Sequence, residues 1–403
     1  MGSRNKGVDY PKHTLWYRFT LWVLGYCLII AICIKRFNIR TERYEGKIER
    51  PYVLTYNHIC DYDFLGVLNS MRYYGRFIIS DALLRKRSLR WLLKVGTNGI
   101  YRRKGESADD AIEAAKATVA KGINVNMAAE GEECPNGVTA EIRKRTGQMI
   151  KDLDVDLITF RMDGGYFLKP KWADHRSGGP LTGKVINIYK KEDLEKMTVE
   201  QINDIIYRDL YVNHYEWNRE HRVVYDRECR AEHMERLVFR CPKCMKDGHL
   251  HSHVDVLSCD SCGYSVSVDE YGFFDKDAIF DNLYDWDMWQ RSELVKESQT
   301  WEDDPDLVIA SDEHCILKVM SGDNAVVLDD DVTISMTHDE ITIKGGSTDM
   351  RFPLKDRINI VAVRGGCGIT YDGKYYRIEP KTPSCMRRYR TILRIIRKEK
   401  YLG

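Results

Sequence analysis

A histidine, His58, stands just after an apolar run, Tyr52-Val53-Leu54-Thr55, and an aspartate, Asp63, follows it with four residues between. The run reads as a buried strand and the histidine as its end. A neutral imidazole there can take the proton of an attacking alcohol. A carboxylate on the other ring nitrogen fixes the tautomer and stabilises the imidazolium. If the chain turns into a helix after His58, Asp63 lies a little over one turn on and can reach back. On spacing alone, a strand end with a capping Asn57 and a solvated acidic turn reads equally well.

Two other stretches carry chemistry. In Gly96-Thr97-Asn98-Gly99-Ile100-Tyr101-Arg102-Arg103-Lys104-Gly105, glycines open the backbone and three cations cluster beside a strand end. Such a cluster suits a phosphate held by charge-assisted hydrogen bonds. Cys241-Pro242-Lys243-Cys244 and Cys259-Asp260-Ser261-Cys262 are two Cys-x-x-Cys knuckles with fourteen residues between them. Four thiolates from two tight turns complete a tetrahedron, so structural zinc in a zinc ribbon is expected, with no open position for catalysis. His249, His251 and His253, between the knuckles, are not expected as ligands. A redox dithiol is the weaker alternative.

The elements that must position these residues alternate. Phe77-Ile78-Ile79 and Ile123 to Ala129 read as strands, Ala82–Val95 and Ser107–Lys121 as helices, and Val155–Phe160 as a further buried strand. That is the order of an α/β domain with its chemistry on loops at strand ends. The order also resembles the PlsC-type glycerolipid acyltransferases, the lysophosphatidic acid acyltransferase family. Their first block, Asn-His-x-x-x-x-Asp, is matched by Asn57, His58 and Asp63. The second, Gly-x-x-Phe-Ile-x-Arg, is matched by Gly96, Ile100 and Arg102, with Gly99 in place of the Phe. The third, Phe-Pro-Glu-Gly-Thr-Arg-Ser, is matched only by Glu130 and Gly131. The fourth, an apolar strand ending in Pro, is matched by Leu157 to Phe160 without the proline. The likeness covers roughly residues 14 to 220.

That resemblance implies an acyltransferase of the 1-acylglycerol-3-phosphate O-acyltransferase type. Acyl-CoA or acyl-carrier protein would be the donor and a lysolipid hydroxyl the acceptor. It implies His58 as general base and Asp63 as its orienting partner, with Asn57, Gly96, Arg102, Arg103, Glu130 and Gly131 lining the acceptor site. Cys60 is expected to be a bystander. Glu132, Glu133 and Cys134 replace the family's Thr-Arg-Ser, which adds two carboxylates where a phosphate should bind. Arg103, Lys104, Arg143 and Lys144 are the cations that could offset them. A non-catalytic lipid-binding or membrane scaffold that keeps the acyltransferase shell is the alternative function.

With 403 residues, more than one domain is expected. The net charge is +1, so nothing global calls for nucleic acid. Twelve cysteines without a secreted pattern imply reduced thiols plus a metal site. Residues 1–44 carry an apolar run, Leu15 to Ile34, flanked by Arg4, Lys6, Lys12 and Arg18 before it and Lys35, Arg36 and Arg40 after it. A membrane-associated helix, monotopic or single-pass, on the cytoplasmic face of a membrane is expected. Residues 45–235 are assigned to the α/β acyltransferase domain, 236–270 to the zinc ribbon and 271–305 to an acidic, tryptophan-containing linker with an ordered helix. Residues 306–403 are assigned to a mostly-β, pleckstrin-homology-like domain. Its expected strands are short, including Leu307–Ile309, Ala325–Leu328 and Val332–Met336, and its closing helix runs from Ser384 to Lys400. Membrane lipids are the expected partners, and the ribbon or the β-rich domain is free for a protein partner.

Overall fold

The computed structural model describes residues 30–61, 63–71, 75–80, 99–102, 109–321, 324–363 and 365–399. The apolar run before Ile30, the helix expected over Ala82–Val95, Gly96, Arg103 and Lys104 lie outside these residues. Among the described residues no helix is long and apolar enough to cross a membrane.

The chain begins with α1 (Ile30–Arg36) and β1 (Ile39–Thr41), then β2 (Tyr52–Tyr56), α2 (Asp63–Ser70), β3 (Gly75–Ser80) and β4 (Ile100–Arg102). Next come α3 (Asp109–Val119), β5 (Asn124–Ala128), α4 (Lys144–Leu153), β6 (Asp156–Asp163), α5 (Gly165–Leu168) and β7 (Leu181–Tyr189). The described strands form one sheet in the order β1-β7-β6-β2-β5-β3-β4. β6, β2, β5, β3 and β4 are mutually parallel, and β7 runs antiparallel to β6. Every residue of β2 is buried because both faces of the sheet are covered. Tyr52, Leu54 and Tyr56 face one core and Val53 the other, as the two-residue period of a strand requires. Parallel strands joined by helices bring their carboxyl ends to one edge, where loops can converge.

Residues 205–235 supply two helices: the end of α7 (Val199–Leu210), which follows α6 (Lys191–Glu195), and α8 (His214–His221). Thr198 and Gln201 start α7 with a reciprocal capping box. His214 and His221 stand at the two ends of α8 and differ in burial. His214 is fully buried and stacks on Tyr166, while His221 is exposed and its Nδ1 donates to Trp217 O.

A three-stranded antiparallel ribbon follows, β8 (Leu250–His253), β9 (Val256–Cys259) and β10 (Ser265–Ser267), in the order β10-β9-β8. It has no separate core. Leu250, Leu257 and Val266 join the same apolar cluster as Tyr52, Ile158 and Phe160 of the α/β sheet. The segment after it contains α9 (Leu283–Glu297), capped by Asn282, whose Oδ1 accepts from Asp285 N at 3.1 Å. Helix α9 spans two cores: Trp286 lies in the α/β–ribbon cluster and Leu294 in that of the C-terminal region.

The C-terminal region is a half-barrel of β11 (Ala310–Ser321), β12 (Asn324–Met336), β13 (Glu340–Gly345), β14 (Asp349–Pro353), β15 (Asn359–Val363), β16 (Gly366–Tyr371) and β17 (Lys374–Pro380). It ends in α10 (Arg388–Ile396). The strand order is β14-β13-β12-β11-β17-β16-β15, with β14 and β15 at the edges. Three sequence expectations change here. Leu307–Ile309 is not a strand. Ala325–Leu328 and Val332–Met336 are one strand rather than two. The final helix is shorter than Ser384–Lys400. The pairing of β11 with β12 slips between Cys315↔Val332 and Leu317↔Asp329. A bulge there, not a turn, interrupts the apolar alternation at Asp330 and Asp331.

Candidate active site

His58 sits where the chain leaves β2. Asn57, fully buried, ties that exit down: its Nδ2 donates to Met162 O at 2.8 Å and its Oδ1 accepts from Met162 N at 2.7 Å. Both ends of the side-chain amide bond the neighbouring β6, so Asn57 anchors the strand exit that carries the histidine. The loop from Ile59 to α2 curls back over its own helix start. Asp63, the first residue of α2, has a side chain only 3% exposed. Its Oδ2 lies 2.7 Å from His58 Nδ1 and accepts from Ile59 N at 2.9 Å. Its Oδ1 accepts from Cys60 N at 3.1 Å and from Cys60 Sγ at 3.3 Å. Asp63 is therefore held by the loop whose histidine it orients. Cys60 supports that carboxylate.

With Nδ1 committed to Asp63, Nε2 is the ring nitrogen left for chemistry. The His58 side chain is 31% exposed, so the imidazole stands at the edge of the protein interior. The loop after β5 completes its surroundings. Glu130, 1% exposed, accepts from His58 N through Oε1 at 3.2 Å and Oε2 at 3.1 Å. Cys134 N donates to His58 O at 2.8 Å. The β2 and β5 loops thus brace each other across adjacent parallel strands.

The carboxylates around His58 set its charge. Burial lowers the His58 pKa, but the hydrogen bond and charge of Asp63, then Glu133 and Glu130, more than offset this and raise it to about 9. Burial pushes Glu130 up to about 8, against the opposing effects of backbone N–H bonds and the His58 charge. Burial likewise raises Glu133 to about 7, with Lys171 and His58 opposing. These groups titrate as one cluster, because protonating either glutamate weakens what holds the imidazolium.

Gly131 has φ +68° and would seat a Cβ 2.9 Å from Arg143 Nε and 3.7 Å from Arg102 Nη1. Glycine takes that left-handed backbone without strain and, lacking a Cβ, leaves the space between the two guanidiniums open. Arg143 Nε donates to Glu130 O at 3.0 Å. Arg102 comes from the end of β4 and has a buried Nε with no hydrogen-bond partner among the described residues. The structure thus brings Asn57, His58, Asp63, Arg102, Glu130 and Gly131 to one edge of the sheet. Asn57 and Glu130 act there as braces of the histidine loop.

Sequence reasoning missed the partner of Glu132. Neither Arg143 nor Lys144 bonds it. Arg390 of α10 does, with Nη1 at 2.5 Å from Oε2 and Nη2 at 2.7 Å from Oε1. No local pattern points to a partner 258 residues away. Also missed was Asp287 of α9, whose Oδ2 accepts from Asn136 Nδ2 at 2.8 Å.

The four knuckle cysteines gather into a cluster of their own. Their sulfurs all lie within 4.8 Å of one another. Cys241 and Cys262 Sγ are 3.6 Å apart, and Cys244 and Cys259 Sγ 3.8 Å. A disulfide needs about 2 Å, while a tetrahedron of sulfurs about 2.3 Å from zinc has edges of about 3.8 Å. The set fits a tetrahedral metal such as zinc. Residues Met245 and Gly263, each just after a knuckle, both take left-handed φ, 64° and 72°, which turns the two loops alike. His249 Nδ1 and His251 Nε2 lie 2.7 and 3.1 Å from the Asp260 carboxylate, so these histidines are used outside the sulfur cluster.

No protein-family profile matches this sequence, and no curated relative matches it. Among solved structures, the 1-acyl-sn-glycerophosphate (LPA) acyltransferase PlsC from Thermotoga maritima is similar at TM-score 0.37 and 16% identity. The similarity covers 48% of this chain and 90% of that chain.

Proposed function

We propose that this chain is an acyltransferase that moves an acyl group from a thioester to the hydroxyl of a lysophospholipid-type acceptor. The observation that carries this reading is the His58–Asp63 pair, 2.7 Å apart at a strand end, with two guanidiniums beside the neighbouring Gly131. His58 Nε2 takes the proton of the acceptor hydroxyl. The hydroxyl oxygen attacks the thioester carbonyl carbon, the C–S bond breaks, and the thiolate leaves and is protonated by the imidazolium. Asp63 stabilises that imidazolium without taking its proton. A thioester already has a good leaving group, so no covalent enzyme intermediate is required.

The donor is acyl-CoA or an acyl-carrier protein. Arg102 and Arg143 face the anionic part of the acceptor. The Cys241, Cys244, Cys259 and Cys262 set holds structural zinc. The apolar run from Leu15, with basic residues on both flanks, supports work at the cytoplasmic face of a membrane. The test is transfer of a labelled acyl group from acyl-CoA across a panel of lysolipids, by wild type and His58→Ala. Transfer that depends on His58 supports the reading. Transfer to no acceptor by either protein overturns it in favour of a non-catalytic lipid-binding shell.

A further inference from the structure

Glu132 puts a carboxylate near the guanidinium of Arg143, which lies across Gly131 from that of Arg102. Alone, it would cancel one of those charges and repel an anionic ligand. The C-terminal half-barrel supplies the counter-charge. Arg390, in the first turn of α10, meets Glu132 end-on with both terminal nitrogens. That fork geometry is the strong form of an arginine–carboxylate pair. The two side chains are partly buried, 13% and 27% exposed, so solvent screens the pair only in part. Burial alone would raise the Glu132 carboxyl. The bond to Arg390, with Lys171 and Arg143 nearby, holds it well below the usual carboxylate range. Desolvation lowers Arg143, and Arg102 and Arg390 add like-charge repulsion while Glu132 opposes. Arg390 and Arg143 therefore share the Glu132 carboxylate and Arg102 stands next to Arg143, which leaves these four side chains together net positive.

We propose that Arg390 is a positioning and specificity residue: by neutralising Glu132 from the C-terminal half-barrel, it keeps the Arg102–Arg143 mouth cationic and selects an acceptor with a net-anionic phosphomonoester head over a zwitterionic one. This rests on the acyl-transfer reading for what the acceptor is, but the charge arrangement can be tested apart from catalysis. The half-barrel is then part of the acceptor site and not an independent module.

The test measures binding of lysophosphatidic acid and of zwitterionic lysophosphatidylcholine, both below their micelle concentrations, by calorimetry. The full chain carrying His58→Ala is used, so turnover plays no part. Arg390→Gln should weaken lysophosphatidic acid binding about tenfold or more, the scale of one uncompensated charge at a partly buried site, and leave lysophosphatidylcholine unchanged. Adding Glu132→Gln to Arg390→Gln should restore affinity to within about threefold of the parent. Glu132→Gln alone, which leaves α10 intact, should tighten lysophosphatidic acid binding. A merely structural pair would give the opposite: the double variant would bind no better than the single, and Glu132→Gln would weaken binding. Either of those results, or no binding of lysophosphatidic acid by the parent, overturns the proposal. If the arginine variant does not fold, the sign of the Glu132→Gln effect decides alone. His58-dependent transfer by the wild-type chain, measured separately, tells whether the proposed function stands.

Discussion

Asn136, six residues beyond Glu130 on the β5 loop, donates its side-chain amide to Asp287 of α9 at 2.8 Å, with both residues buried. The same carboxylate accepts from Gln290 Nε2 at 2.9 Å, from Arg291, and from Arg387 Nη1 at 3.4 Å. Helix α9 also holds the neck of the ribbon. Trp286 Nε1 donates to Arg240 O at 2.8 Å, and Gln290 Nε2 donates to Leu237 O at 3.0 Å. Cys385, just before α10, donates from Sγ to the same Leu237 O at 3.1 Å. The loop beside His58, the metal knuckles and the half-barrel therefore meet at one helix.

Replacing Asp287 by alanine removes the shared acceptor of that junction. Breaking a buried ion pair from one side costs about 3–5 kcal/mol, so Asp287→Ala should lower unfolding stability by about that much. Urea unfolding of the full chain checks this, and a loss below about 1 kcal/mol would show the junction to be energetically idle. Burial raises the Asp287 carboxyl, but Arg291, Arg387, Gln290 and Asn136 bring it below its ordinary value. Its contribution is therefore present above the unfolded carboxylate pKa of about 4 and is lost as pH falls through the depressed folded value.

Metal content should follow the four cysteines. Protein purified without chelator should hold about one zinc per chain, and Cys244→Ser should hold far less. Because the ribbon shares its core with the α/β sheet, losing the metal should also reduce acyl transfer, although no knuckle sulfur lies at His58. Full activity in metal-free protein would show that the ribbon does not support the site.

The pH dependence of kcat/KM should carry a basic limb. His58 must be neutral to act as a base, and its pKa is raised to about 9. Activity should therefore rise with pH and level off near that value. Glu133→Gln removes one of the charges that raise it, so the limb should move to lower pH. For stability the sign is opposite. A histidine raised from 6.5 stabilises fully below 6.5 and loses that contribution as pH rises through about 9. Glu133, raised to about 7 by burial, also binds its proton more tightly folded than unfolded. Melting temperature should fall across the range in which activity rises, and a flat profile in both would refute this account of the cluster.

Asp63→Asn keeps the shape of the helix start but replaces the acceptor of the His58 Nδ1 proton. Activity should drop roughly 10²- to 10⁴-fold, with the KM for acceptor little changed. The loop also loses charge-assisted bonds from Ile59 N and Cys60 N, which should cost about 1–3 kcal/mol of stability. A variant that loses stability but keeps its kcat would make Asp63 a purely structural cap.

Features that depend on short loops were the most legible in the sequence, although for His58 and Asp63 spacing alone left a capped strand end equally open. His58 and Asp63 are five residues apart, and the turn into α2 closes that distance. Each Cys-x-x-Cys presents its pair of thiols from a single tight turn. The alternation of strands and helices pointed to an α/β domain with its chemistry on loops at strand ends, while the place of Glu130 and Gly131 beside His58 came only from the resemblance. The tertiary structure alone decided the rest. Glu132 found Arg390 across 258 residues and Asn136 found Asp287 across 151, pairings that no local periodicity encodes. The ribbon and α9 were legible as elements, but their shared core was not, because which apolar face meets which depends on the packed arrangement. In the half-barrel, the bulge at Asp330 and Asp331 breaks the two-residue period just as a turn would. Only its pairing with β11 shows that the strand continues.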